Sequence, residues 1–220
     1  MNTMNKEISA SVVKTGTSLV GMMCKDGAVI AADRRATAGG QLVIQKDVQK
    51  IREVTDYFIT AIAGNASDAI LLTRIIGAEL RLKELRTRTR PTVSEAANLL
   101  AMSSYRNIRS PSMIPNIVAT ISGGFNEDGK VEMFSTSPAG DLREINDYEA
   151  SGSGMTFIMG LLERQYKKEM SLKETIELAK ECIKSSTQRD TASGNGIDVF
   201  AITKDGIKHV VSEEILPQFK

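Results

Sequence analysis

Short apolar runs alternate with longer stretches of helical spacing along this chain of 220 residues. The short runs cover Ser18–Cys24, Ala28–Asp33, Leu42–Gln45, Tyr57–Gly64, Asn116–Gly123, Lys130–Ser135, Gly196–Thr203 and Ile207–Ser212. Three Asp-Gly steps, at Asp26-Gly27, Asp128-Gly129 and Asp205-Gly206, sit between such runs and predict hairpins. Ser18–Cys24 and Ala28–Asp33 are expected to pair. Leu42–Gln45 and Tyr57–Gly64 are expected to extend the same region.

Four helices fit the remaining pattern. Ser67 to about Arg86 carries Ile70, Leu71, Leu72, Ile75, Ile76, Leu80 and Leu82, apolar around most of its first turns, so it should pack on two sides. Thr92-Val93-Ser94-Glu95 and Ser171-Leu172-Lys173-Glu174 are capping-box patterns that open two more helices, the second running to about Ser185. Met155 to Lys167 fits a fourth. The order is strands, two helices, strands, two helices, strands, and hairpins with segregated helix pairs argue against a doubly wound parallel sheet. The expected fold class is α+β: two stacked antiparallel sheets with a helix pair on each outer face, a four-layer αββα sandwich. Residues 1–16 read as an appendage and 17–220 as one domain, without linker, repeat or low-complexity segment.

Composition narrows the function. Hydrophobic content of 41% and charged content of 25% are those of an ordinary globular protein. A net charge of +1 gives no footprint for nucleic acid or an anionic membrane surface. The basic run Arg81–Arg90 is interleaved with Glu84 and Leu85 and reads as a solvated helix end. No apolar stretch approaches the ~20 residues of a membrane helix, and residues 1–16 have no signal-peptide pattern. Cys24 and Cys182 are far apart and suggest no disulfide framework, so a reducing, cytoplasmic setting is expected. His209 is the only histidine. A histidine-rich metal site is thereby excluded, and a Ser-His-Asp enzyme would have to run on that one residue. No cofactor is expected.

Hydroxyl chemistry without histidine is open to a threonine whose own α-amine is the base. Cutting the Gly16–Thr17 bond would create such a residue at the head of the first strand. Gly16 has no side chain to obstruct a bent scissile geometry. Taken singly, the other candidates have ordinary readings. Asp33-Arg34-Arg35 is a charged strand end and Lys50 a surface lysine. Ser153 is a helix cap or loop residue, Asp190 and Ser193 belong to a polar turn, and His209 is a partly exposed strand residue. Gly152-Ser153-Gly154 does not complete a G-x-S-x-G elbow.

Together they do more. Thr17-Ser-Leu-Val-Gly, Lys25-Asp-Gly-Ala-Val-Ile-Ala-Ala-Asp33-Arg-Arg, Ala61-Ile-Ala-Gly64, Gly152-Ser153-Gly154 and Gln188-Arg-Asp190-Thr-Ala-Ser193-Gly, in this order, resemble the proteasome β-subunit family, in its archaeal form. The resemblance implies the N-terminal-nucleophile hydrolase fold and a threonine peptidase made as a zymogen. Residues 1–16 would be a propeptide removed autocatalytically between Gly16 and Thr17. Thr17 matches the nucleophile, Asp33 the carboxylate that pairs with a catalytic lysine, and Lys50 that lysine, with Lys46 as a rival. Gly64 matches the oxyanion-binding residue. Ser153, Asp190 and Ser193 match the polar group around the threonine amine.

Thr37, Ala36, Ile62 and Ala66 match substrate-binding positions. The apolar character of Ala36, Ile62 and Ala66 implies cleavage after Leu, Tyr or Phe. Arg52 tilts preference toward acidic residues if it points inward. Implied partners are other β subunits in a heptameric ring, α-subunit rings of a 20S core, a regulatory ATPase acting indirectly, and unfolded polypeptide. Two alternatives stay open: a structural, inactive β-type ring subunit, and a small-molecule amidohydrolase of the same architecture.

Overall fold

A computed structural model describes residues 16–38, 40, 42–112 and 117–215. The expected appendage, apart from Gly16, and the expected strand start at Asn116 lie outside the described residues. The chain forms β1 (Ser18–Cys24), β2 (Gly27–Asp33), β3 (Ala36–Ala38), β4 (Leu42–Gln45), β5 (Ile51–Thr55) and β6 (Phe58–Gly64). Helices α1 (Ala66–Thr87) and α2 (Val93–Arg109) follow, then β7 (Val118–Phe125), β8 (Val131–Thr136), β9 (Leu142–Glu144) and β10 (Tyr148–Gly152). Helices α3 (Met155–Gln165) and α4 (Leu172–Thr187) lead to β11 (Gly196–Thr203) and β12 (Gly206–Glu214).

One antiparallel sheet has the order β10-β1-β2-β11-β12 and the other β5-β6-β7-β8-β9. Their inner faces meet through Leu19, Ala28, Ile30 and Ala32 on one side and Ile51, Ile59, Ala61 and Ile121 on the other. The intervening residues of β1 and β2, namely Val20, Met22, Val29 and Ala31, point the other way onto Ile158 and Leu162 of α3 and Leu178, Cys182 and Ile183 of α4. On the far side, Phe58 and Ile62 of β6, Val118 of β7 and Phe134 of β8 pack on Leu72, Ile76 and Leu80 of α1 and on Leu100 of α2. The central strands are therefore buried on both faces, which is why they read as apolar runs rather than alternating ones. This is the expected four-layer αββα sandwich.

Helix starts follow the sequence closely. Thr92 and Ser171 both complete capping boxes, each accepting a bond from the N3 amide while Glu95 or Glu174 accepts one in return. Asn65 caps α1 by accepting from the amides of Ser67 and Asp68, so the helix begins one residue before Ser67. α3 stops at Gln165, short of Lys167, because Tyr166 turns to extended geometry, donates its hydroxyl to the Met23 carbonyl at 3.0 Å and packs edge-on against Tyr148.

Two expectations need correction. Leu42–Gln45 does not extend the first sheet; β4 pairs with β3 in a separate two-stranded ribbon. The Tyr57–Gly64 run joins the second sheet, as β6 beside β7. Residues 34–50 are the connection between the sheets, so strand order along the chain does not follow sheet membership. The outer side of α1 is also not covered in the isolated chain. Leu71 is 59% exposed and Leu85 68%, while Leu72, Ile76 and Leu80 face the sheet.

Candidate active site

The site lies where the β1 entry, the end of β2, the approach to β5 and the loop before β11 converge. Thr17 immediately precedes β1 and is 4% exposed. Its hydroxyl donates to the carbonyl of Gly16 at 2.6 Å. Lys50 Nζ approaches the same carbonyl oxygen at 3.1 Å and pairs with Asp33 Oδ1 at 2.7 Å. Both members of this pair are buried. Lys46, the rival, is exposed.

Asp33 ends β2 and holds four donors. Oδ1 accepts from Lys50 and from the Ser18 amide at 2.9 Å, and Oδ2 from the amides of Arg35 at 3.0 Å and Gly194 at 2.9 Å. These four donors occupy both oxygens without recourse to bulk water. Burial, the largest influence on Lys50, pulls its ammonium below the ordinary lysine range, and attraction to Asp33 opposes this.

A polar chain lies on the other side of Thr17. The Thr17 amide donates to Ser153 Oγ at 3.1 Å. Ser153 and Ser193 both donate to Asp190 Oδ2 at 2.6 Å, and the Ser18 hydroxyl donates to Ser193 at 2.8 Å. Asp190 Oδ1 accepts from the Ala192 amide at 3.1 Å, which curls the loop under the serines. Ser153 itself is not the helix cap. Gly154 holds that position ahead of α3, which leaves the Ser153 side chain for Thr17 and Asp190.

A cavity of about 100 Å³ opens beside Thr17 and Lys50. Thr37, Ala36, Ile62, Gly64 and Ala66 all line it, together with Ile44, Val48, Arg52 and Ile70. Gly64 has φ +128°, and a Cβ there would collide with the Ile117 carbonyl, so the cavity edge is backbone of a kind only glycine supplies. Thr37 accepts a bond from the Gly16 amide at 3.2 Å and so holds the residue just before Thr17.

All of the site residues read from the sequence are thus brought to one place. Others were missed. Gly152 (φ +89°) lets the chain pass against the Thr17 backbone, where a Cβ would collide with its carbonyl. Arg35 clamps the 191–195 loop by donating to the Thr191 carbonyl and to Asn195 Oδ1, each at 2.8 Å. The Asp-Arg-Arg step was the available signal for Arg35, and the Gly152-Ser153-Gly154 motif for Gly152. His209 stands apart from the cavity. It bonds Asp198 at 2.9 Å, stacks on Phe200, and shares Asp198 with the bidentate Arg34. Among the described residues, no group of His, Cys, Asp and Glu could hold a metal ion, and no helix is long and apolar enough to cross a membrane.

Comparison with known proteins agrees with this geometry. A family model described as proteasome subunit matches residues 13–202. A proteasome subunit beta of Archaeoglobus fulgidus is 38% identical over 202 residues, covering 91% of each chain. Namesakes from Methanocaldococcus jannaschii, 37% identical over 92% of this chain and 88% of their own, and Methanocaldococcus vulcanius, 36% identical over 91% and 87%, are similar along nearly their whole length. With an αββα sandwich, a family match over most of the sequence and relatives of that extent, the chain belongs to the proteasome subunit family, among its β-type members.

Proposed function

We propose that the chain is a catalytic β subunit of a 20S-type proteasome, a threonine endopeptidase made as a precursor. The observation that carries this reading is the convergence of Thr17 Oγ and Lys50 Nζ on the Gly16 carbonyl, with Asp33 holding the lysine. In self-processing, Thr17 Oγ adds to the Gly16 carbonyl carbon and gives up its proton. The C–N bond then breaks, the proton goes to nitrogen, and an ester links Gly16 to Thr17. Water hydrolyses the ester, releasing residues 1–16 and a free α-amine.

That amine is created beside Ser153, Asp190 and Ser193. Its unperturbed pKa of about 7.7–8.0 suits a base near neutrality, and the Lys50 cation disfavours its protonation. In peptide cleavage the amine takes the hydroxyl proton as Oγ attacks the substrate carbonyl and the Gly64 N–H stabilises the resulting oxyanion; the C–N bond then breaks as the proton passes to the leaving amine, and water hydrolyses the ester left on Thr17. Residues 17–220 form the mature peptidase domain. The apolar cavity walls fit Leu, Tyr or Phe before the bond cut.

The direct test is intact-mass analysis after co-expression with an α-type partner. Loss of residues 1–16 is expected. A chain that remains full length in assembled particles, without peptide hydrolysis, would instead identify a structural ring subunit. Assembly gives a second expected result. Leu71, Ile75 and Leu85 are too exposed for the surface of a solitary protein. In a heptameric β ring stacked on α rings, in the cytoplasm, they are covered. Sizing chromatography with the partner should give a very large particle, and a stable monomer at micromolar concentration under all conditions would count against this.

A further inference from the structure

Arg34 follows Asp33 directly, yet its side chain is committed to a second buried carboxylate. Asp198 of β11 takes the guanidinium bidentately, with Nε donating to Oδ2 at 3.0 Å and Nη2 to Oδ1 at 2.6 Å. His209 Nε2 lies 2.9 Å from the same Oδ1, and its ring stacks on Phe200. Nη2 also donates to the Ser212 hydroxyl at 2.6 Å. Gly196 leaves room for the stem, since a Cβ there would fall 2.5 Å from Arg34 Cδ. Asp198 is buried and the Arg34 side chain is only 14% exposed. A buried ion pair adds little net stability over apolar packing, but a two-pronged one fixes direction.

The segment so fixed is the one that carries Lys50. Residues 46–50 form neither helix nor strand. The Arg34 carbonyl accepts the Val48 amide at 3.0 Å, and Arg34 Nη1 lies 3.3 Å from Asp47 Oδ1. Among the described residues, no other hydrogen bond or ion pair reaches residues 46–49. At the far end of the segment the Lys50 carbonyl accepts the Ile62 amide at 3.1 Å. Lys50 thus hangs between β6 and Arg34, and Arg34 is bolted to β11. The Asp47 side chain is exposed, so its contact is weak by itself. The Val48 bond passes on the position that Asp198 imposes on Arg34.

We propose that Arg34, held by Asp198, is a positioning residue that sets where Lys50 Nζ stands relative to Thr17. This role rests on the threonine-peptidase reading of Thr17. Arg34 does not line the cavity beside Thr17 and acts only through the chain. Loss of the brace lets residues 46–49 relax and Lys50 Nζ draw away from the Thr17 amine. A cation at greater distance disfavours protonation of that amine less. The other charged groups felt by Lys50 are Asp33, Asp190 and Arg35, and none of them is altered.

The test uses assembled particles and a peptide with leucine before the bond cut, with kcat and KM measured across pH. Arg34→Gln and Asp198→Asn should each lower kcat about tenfold, part of what an ångström-sized misplacement costs, and leave KM within about twofold. The acid limb of the kcat/KM profile, set by the Thr17 amine, should move to higher pH in both. Either substitution alone strands a buried charge and can cost the fold. The double variant, Arg34→Gln with Asp198→Asn, removes both charges and covers that case. It should lose no more than a single variant, because the two residues act as one unit, and should show the same displaced limb. A double variant with kcat within about threefold of wild type, or with an unmoved acid limb, overturns the inference alone. Failure of the double variant to assemble makes the pair structural and overturns it too. Wild-type particles that do not cleave the peptide overturn the peptidase reading as well.

Discussion

Lys50→Ala is expected to lower peptide hydrolysis by about a thousandfold or more, the middle to upper range for removing a group that moves protons in the transition state. The residue combines three properties that no neighbour duplicates. It is buried, it sits 3.1 Å from the Gly16 carbonyl, and its proton affinity is lowered by burial. Lys50→Arg should fail nearly as badly, because the planar, bulkier guanidinium cannot take the compact ammonium's place between Asp33 Oδ1 and the Gly16 carbonyl. Lys46→Ala should leave turnover within twofold of wild type, since that side chain is exposed. Asp33→Asn should be similarly damaging to activity, as it removes the counter-charge of the lysine. Removing one member of a buried pair also destabilises, by about 3–5 kcal/mol when nothing else serves the remaining charge. Here the Ser18, Arg35 and Gly194 amides still serve Asp33, which moderates the cost. Thermal unfolding and particle size recorded beside the rates separate the two effects. Full activity in Lys50→Ala would overturn the assignment.

Gly16→Ala should slow self-processing about a hundredfold, the scale of an ångström-sized misplacement of reacting groups. A Cβ at Gly16 would fall on the Cβ of Ala192 and within 2.7 Å of its Cα, so the scissile carbonyl has to shift from under Thr17 and Lys50. Intact-mass time courses on freshly assembled particles would show the persistence of residues 1–16. Ala192→Gly in the same chain should restore part of the rate, since it removes the Cβ and leaves the backbone contact. Thr17→Ala, lacking the hydroxyl, should stay full length indefinitely. Trimming of Thr17→Ala at the same bond, with no wild-type subunit present, would show that another agent makes the cut.

Much of this was legible beforehand because the signals are local. Asp-Gly steps produce hairpins at Cys24–Gly27 and Thr203–Gly206, and capping boxes at Thr92 and Ser171 start helices wherever the chain goes. The site was readable for a different reason. Thr17, Asp33, Lys50, Gly64, Ser153, Asp190 and Ser193 match the motifs of one family as a set, whereas each alone has an ordinary role. Strands β5 and β10 escaped notice because their sequences, Ile-Arg-Glu-Val-Thr and Tyr-Glu-Ala-Ser-Gly, carry charge or small polar residues suited to sheet margins. Sheet membership of β4 and β6 is decided by pairing partners far away, which a local pattern does not encode. The Gly16–Ala192 contact and the approach of Gly152 to Thr17 are likewise long-range events.

The anchoring of Asp33 has a consequence for how the site comes together. Its four bonds come from the start of β1, from Arg35 two residues beyond Asp33, from the approach to β5 and from the loop before β11, so the carboxylate is fully served only once segments from residue 18 to residue 194 have all docked. The charge pair is a checkpoint on folding. A nascent or misfolded chain has Thr17 but not this arrangement of charges around it.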